Sequence, residues 1–455
     1  MNERLYDNKT IKKEIYFLII PVILENIFQM SAGLVSAAMI GRLTPTLISS
    51  QGISSRVTGV LWCLFKGIGI GATVLIAKTH GEGNFAKCKK TFELSALTGV
   101  IISFITVIIV LLNMTNIVAF FSTSEETVYH ASKYLKIVIF TSPFVLIMAT
   151  VTGVYQGHGN TKTPMFISIV VNIINVIIGY LLIYGKFGFP RLELVGAGIA
   201  LLLSQAAGAL LGLFLLYNKK IGLFCTYKNE NIFKLDYNII KEVYSIGIPA
   251  AFENMFWQLS AVIMSKVILS YGEVTFSAYQ LGLQAELLLE MPAVGVGIAS
   301  TSLTANAIGK KDEKLLKAYT KQLLKTATFI SVISSLLIIF FPGSFMNLFT
   351  NNQEIKAIGI KYLIVMGFIQ TPQNLSKVLN GSIRSAGYKN IPMVISFFGI
   401  WVIRVPLTIL FAYLLKLDIA FIWLCMAFDQ TAKFVISAVA FRMKKVNYIP
   451  QIKEA

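Results

Sequence analysis

Pro21-Val22-Ile23-Leu24-Glu25-Asn26-Ile27-Phe28 sets a carboxylate and an amide inside an otherwise apolar run. The same pattern returns as Pro249-Ala250-Ala251-Phe252-Glu253-Asn254-Met255-Phe256, 228 residues later (21 to 249). At that one offset Gly67, Gly69 and Ile70 fall on Gly295, Gly297 and Ile298, and Tyr134 falls on Tyr362. Gly153, Gly159 and Pro164 likewise fall on Gly381, Gly387 and Pro392. General apolar composition explains single glycines but not one ungapped register from Pro21 to Pro164. The chain reads as two copies of one unit, each opening on a proline-marked helix that carries a buried acid.

Composition names the medium. Of 455 residues, 55% are hydrophobic and 14% charged, and the mean hydropathy is +0.71. A soluble chain of this length needs far more charged surface. Apolar runs of ~20 residues, each long enough to cross a bilayer, recur throughout. The expected fold is an all-α polytopic membrane protein with twelve transmembrane helices in two pseudo-symmetric six-helix lobes. Its expected limits are a cytoplasmic N-terminal segment at 1–14, an N-lobe at 15–217 and a cytoplasmic linker at 218–238. A C-lobe at 239–443 and a cytoplasmic tail at 444–455 follow. No cleavage site follows the first apolar run, which reads as a retained span.

The net charge of +18 sits in short loops, not on a soluble face, which argues against a nucleic-acid binder. One side collects Arg4, Lys9, Lys12, Lys13, Lys87, Lys89, Lys90, Lys219, Lys220, Lys228, Lys234, Lys310, Lys311, Arg384, Lys389, Lys444 and Lys445. The other holds only Arg42, Lys186, Arg191, Lys356 and Lys416. Both termini are therefore expected in the cytoplasm, with the chain in the cell membrane. Cys63, Cys88, Cys225 and Cys425 are scattered singly and make no metal spacing with the three histidines. There is no phosphate-binding loop for ATP, no Ser/His/Asp set for an enzyme and no channel filter. A transporter without a cofactor, driven by an ion gradient, remains.

An ionised carboxylate at mid-membrane costs several kcal/mol, so such residues line a cavity or pair. Glu25, Glu253, Glu286, Glu290 and Asp429 lie within spans. Glu25 and Gln29 share a helix face, with Ser36 further along the same stripe. Glu253 shares its face with Trp257, an acid beside an aromatic, which suits an organic cation. Glu286 and Glu290 are four apart; Gln280 and Gln284 are also four apart but on nearly the opposite face. One pair faces a cavity while the other packs, and either choice is open. Two carboxylates a turn apart are able to hold and release a proton. Asp429 and Lys433 have the spacing of a helical ion pair. Asn172 and Asn175 share a face, as ligand contacts or as helix–helix hydrogen bonds.

Together these features resemble the multidrug and toxic compound extrusion (MATE) family over nearly the whole chain. The Pro-x-x-x-Glu-Asn openings, Ala38-Met39-Ile40-Gly41-Arg42-Leu43 and Gly67-x-Gly69-x-Gly71 carry the resemblance. So do Gly153 through Pro164, Asn172-x-x-Asn175 and Gly381 through Gly387. The resemblance implies two six-helix lobes and alternating access. It implies a monomeric bacterial exporter in the lipid bilayer that antiports small organic compounds, often cationic and aromatic, against Na⁺ or H⁺. Ser36 and Gly179 stand where many members have aspartates, and Gln373 stands near a third such position. The resemblance makes Glu253 the main coupling acid, with Na⁺ as one candidate ion there. Glu25, Glu286 and Glu290 are candidate helpers. Asn26, Gln29, Ser36, Asn172, Asn175, Asn254, Trp257, Gln280, Gln284 and Gln373 are candidate cavity residues. Two other readings share part of the pattern. One is a lipid-linked precursor flippase, which needs a cationic cavity; Arg56, Lys66 and Lys266 are scattered, and no basic cluster is expected within the spans. The other is a non-transporting membrane receptor or assembly factor, kept open by the missing acids.

Overall fold

The computed structural model describes residues 8–121, 124–218, 220, 222–224 and 235–448. Arg4, Lys219, Cys225, Lys228, Lys234, much of the expected linker and the end of the tail lie outside the described residues. Among the described residues there is no strand, and twelve long helices carry the fold. The first six are α1 (Asn8–Ile40), α2 (Pro45–Gly81), α3 (Phe85–Leu112), α4 (Glu125–Gly157), α5 (Lys162–Tyr184) and α6 (Glu193–Tyr217). The second six are α7 (Tyr237–Leu269), α8 (Glu273–Gly309), α9 (Glu313–Phe340), α10 (Gln353–Ser385), α11 (Ile391–Leu414) and α12 (Ile419–Met443).

Ten of these have the length and apolar composition of a bilayer crossing. The other two, α7 and α10, are 33 residues each but more polar. Glu253 and Asn254 interrupt the apolar run of α7, and Gln370, Gln373, Asn374 and Lys377 interrupt that of α10. Polar side chains at membrane depth need a cavity or a partner, so these two helices point to the site.

The repeat is legible in the helix ends. α2, α3 and α4 begin and end 228 residues before α8, α9 and α10 (45 to 273, 85 to 313, 125 to 353). Two six-residue helices, Met114–Ala119 and Pro342–Asn347, keep the same offset. Even the exposed apolar stripe repeats: Ile101, Phe104, Ile105, Ile108 and Leu112 on α3 match Phe329, Val332, Ile333, Leu336 and Phe340 on α9. Such stripes suit contact with lipid tails.

The chain divides into two compact units. One runs from Leu24 to Ala251; the other joins residues up to Ile23 with those from Phe252 onward. Both divisions fall three residues after a helix-interior proline, Pro21 in α1 and Pro249 in α7. Within the second unit, Ile11, Ile15, Leu18 and Ile19 of α1 pack with Val296, Ala299, Leu315 and Leu323. Within the first, Ile239 and Val243 of α7 pack with Phe65, Leu75, Leu94 and Leu146. Glycine makes these contacts close. A Cβ on Gly67 would lie 2.5 Å from the Gly247 carbonyl oxygen, and one on Gly295 would lie 3.2 Å from that of Ile19. The two contacts are again 228 residues apart (67 to 295, 19 to 247). Gly69 and Gly153 face each other's helices in the same way, with Cβ positions 2.8 Å from the Ala149 and Gly69 carbonyl oxygens.

The symmetry fails in α11. Wide π turns occupy Phe398–Arg404 and Leu410–Leu414 on either side of Pro406, which has no N–H to continue an α ladder.

Candidate functional site

Each unit holds a cavity within its membrane helices, and the two differ in chemistry. In the unit that starts at Phe252, a cavity of about 280 Å³ is lined by charged groups from every surrounding helix. Glu253 and Trp257 come from α7, Glu286 and Glu290 from α8, Gln373 and Lys377 from α10, Arg404 from α11 and Lys433 from α12. The eighth helix turns its carboxylate pair, Glu286 and Glu290, to the cavity. Gln284 is exposed and Gln280 half-buried, and neither is among the lining residues.

Every acid here is engaged. Arg384 donates to Glu253 through Nη2, and Lys377 donates to Glu290. Gln373 Nε2 adds a second donor to Glu290 at 2.7 Å. Tyr362 OH donates to Glu286 at 2.6 Å, and its ring is held edge-on by Trp423 at 5.0 Å. Asp429 is 0% exposed and lies between two cations, Arg404 at 2.6 Å and Lys433 at 3.0 Å. The last of these realises the i, i+4 pair expected from the sequence. A Cβ on Gly399 would overlap Asp429 Oδ1, so only glycine leaves the carboxylate its place. Buried charges survive at membrane depth by this kind of pairing.

In the unit from Leu24 to Ala251, a cavity of about 360 Å³ is lined by no charged side chain among the described residues. Gln29 and Ser36 of α1, Gln51 and Trp62 of α2, Asn172 and Asn175 of α5 and Gln205 of α6 face it. Ser36 Oγ donates to Asn175 Oδ1 at 3.2 Å, and Asn175 Nδ2 donates to Ser204 Oγ at 3.4 Å. Gly179 lines the same cavity with space for a side chain: its Cβ would meet Met39 Cε at 3.5 Å. Glu25 and Asn26 line neither cavity.

Comparison with known proteins decides the family. A family model described as MatE matches residues 21–181 and, a second time, residues 249–410. The chain belongs to the MatE family. Its curated relatives include a probable multidrug resistance protein NorM of Thermotoga maritima, 27% identical, with 95% of this chain and 92% of that protein aligned. They also include a probable multidrug resistance protein YoeA of Bacillus subtilis, 26% identical over 89% of this chain and 88% of that one. Among solved structures, a MOP superfamily transporter from Pyrococcus furiosus superposes with a TM-score of 0.88 at 19% identity, covering 95% of this chain and 96% of that one. An outward-facing multidrug resistance MATE family transporter gives 0.88 at 19% identity, covering 99% and 98%.

This MatE protein is therefore a multi-pass membrane transporter and not an enzyme. Its charged cavity corrects one expectation. The spans do carry a basic cluster: Lys377, Arg384, Arg404 and Lys433 gather in one unit. Arg384, counted among loop residues in the sequence, is 9% exposed and turned toward Glu253. The signal was available. Lys377 lies one helical turn from Gln373, and Arg404 interrupts an apolar run as plainly as any of the acids.

Proposed function

We propose that this MatE transporter is a secondary active exporter of small organic compounds that works by alternating access and antiports them against protons. It acts as a monomer in the cell membrane with both termini in the cytoplasm. The observation that carries the coupling is the charged cavity, where every carboxylate already has a cation or a hydroxyl on it. A proton arriving at Glu253 or Glu290 would neutralise the acid and release Arg384 or Lys377. Each pair ties α10 to α7 or to α8, so protonation changes how these helices are held within the unit. A Na⁺ ion at Glu253 would have to share its carboxylate with a guanidinium, and like-charge repulsion at such distances costs several kcal/mol at low effective dielectric. The absence of aspartates at Ser36 and Gly179 leaves this cavity as the acid-bearing one among the two described.

The basic cluster does not turn the reading toward a flippase for lipid-linked pyrophosphates. Arg384 meets Glu253, Lys377 meets Glu290, and Arg404 and Lys433 share Asp429; with Glu286 on the same wall the four cations face four carboxylates, which leaves no open basic patch for a polyanion. The names of the curated relatives support drug or toxin export as the physiological role.

Purified transporter in proteoliposomes tests the coupling. An imposed pH gradient should drive accumulation of an exported compound, and a Na⁺ gradient at matched pH should not. Glu290→Gln should abolish the proton-driven component, with folded protein recovered. Accumulation driven by Na⁺ alone would overturn proton coupling.

A further inference from the structure

We infer that the uncharged cavity in the Leu24–Ala251 unit is the binding site for a neutral, hydrogen-bonding compound of about nucleoside size, and that this transporter selects such compounds over organic cations. The inference rests on the exporter reading and names its substrate class.

The cavity is large enough at about 360 Å³, since pockets for small ligands begin near ~300 Å³. Its polar groups are carboxamides and hydroxyls. Asn175 is occupied by Ser36 and Ser204, and Gln51 donates to Ser55 at 3.1 Å. Gln29, Asn172 and Gln205 present carboxamides from three different helices. A carboxamide offers two donors and an acceptor, the complement of a neutral amide edge or a pair of hydroxyls. Trp62 adds a flat apolar face on which a ring can stack. At membrane depth such amides belong in a water-filled cavity or against a partner, and this cavity gives them the room to exchange water for a ligand.

Charge decides against a cation. An unpaired cation taken from water into a cavity whose lining carries no acid, with Glu25 one turn of α1 from Gln29 and outside that lining, loses several kcal/mol of hydration. A cation–π contact with one tryptophan returns ~0.5–2 kcal/mol, which does not offset it. The charged cavity offers no better host, because Glu253, Glu290 and Asp429 are already paired with cations and Glu286 is held by Tyr362. A neutral ligand meets neither penalty. It loses hydrogen bonds to water and regains them from the amides.

The test uses the full chain in lipid nanodiscs and titration calorimetry with uridine, a neutral aryl glycoside (p-nitrophenyl glucoside) and ethidium as aromatic cation. At least one neutral probe should bind at least 10-fold more tightly than ethidium. Asn172→Ala and Gln205→Ala should each weaken that neutral probe by about 10-fold, while Gln284→Ala, outside both cavity linings, should leave it within 2-fold. Asn172→Asp should invert the preference by supplying the missing counter-charge, with ethidium affinity rising at least 10-fold. Melting curves of each variant exclude misfolding. Ethidium binding as tight as the neutral probes in the native protein overturns the inference, as does failure of both neutral probes to bind at millimolar concentration. Transport separates the two ideas: ethidium efflux without neutral-probe binding sinks the inference and leaves the exporter. Neutral-probe binding with no transport of any probe sinks the exporter and leaves the site.

Discussion

Asp429 shows what a single residue does in this fold. Its carboxylate is fully buried, with Arg404 and Lys433 on either side and Gly399 making room for it. Removing one member of a buried charge set leaves its partners unpaired, which costs about 3–5 kcal/mol. Asp429→Asn should therefore lower the melting temperature of the purified protein sharply, and adding Lys433→Met should recover part of the loss. If the double variant melts no higher than the single one, the pair is not coupled. The acid was legible in the sequence because Lys433 stands four residues on. Arg404 was not paired with it there, because it comes from another helix, and only the packing of α11 on α12 joins them. Lys377 and Arg384 escaped for a related reason. In a sequence, basic residues mark the cytoplasmic side, a rule for loops, whereas these two lie inside the fold on the face of α10 that meets acids from α7 and α8.

Helices dock here by backbone approach, and glycine positions separate sharply. Gly67 faces the backbone of Gly247 and Ala251, which has no slack, while Gly297 faces Lys377 Cβ at an ordinary 3.6 Å. Gly67→Val should destabilise by about 1–3 kcal/mol, the cost of overpacking, and Gly297→Ala should be close to neutral. Thermal unfolding in one detergent compares them; equal melting temperatures would mean that the α2–α7 contact is not tight. The turn after α4 responds to pH as well. His158 Nδ1 lies 2.9 Å from the Val154 carbonyl oxygen, and its ring is 4.7 Å from that of His80. Burial lowers its pKa below the ordinary 6.5. The unfolded chain then takes up the proton more readily than the folded one, so stability is lost as pH falls below about 6.5 toward the lowered value. His158→Gln should flatten the stability profile between pH 6.5 and 5, measured by melting temperature. Which glycines pack tightly was not legible from their spacing, since Gly67 and Gly297 occupy the same motif in the two copies. The partner helix distinguishes them.

At the scale of the whole chain, the repeat was readable from the one ungapped register that runs from Pro21 to Pro164, because a doubled helical unit keeps its register wherever close packing fixes the glycines. It holds to Pro392 at the start of α11 and is lost beyond it: the π turns around Pro406 carry the end of α11 two residues past the offset (184 to 414), and a shorter loop (415–418 against 185–192) then starts α12 two residues before it. The same doubling bears on orientation. Each copy has six spans, so the two enter the membrane from one side, and the loops that follow α2 and α8 share it. Basic residues gather on this side at both places: Lys87, Lys89 and Lys90 in the first turns of α3, and Lys310, Lys311 and Lys314 in the loop before α9 and its first turn. The loop between α5 and α6 falls on the opposite side. Positive loops are retained in the cytoplasm, and the anionic inner leaflet adds ~1 kcal/mol per basic side chain. Single cysteines in a background without the four native ones report the side directly. Glu82→Cys, exposed at the end of α2, should react with an impermeant maleimide only in inverted vesicles. Lys186→Cys, exposed between α5 and α6, should react only in intact cells. Reversed labelling at both positions would overturn the assignment of sides, and with it the direction in which proton entry drives export. Labelling of both from one side would break the six-span repeat itself, since α3, α4 and α5 separate the two positions by an odd number of crossings.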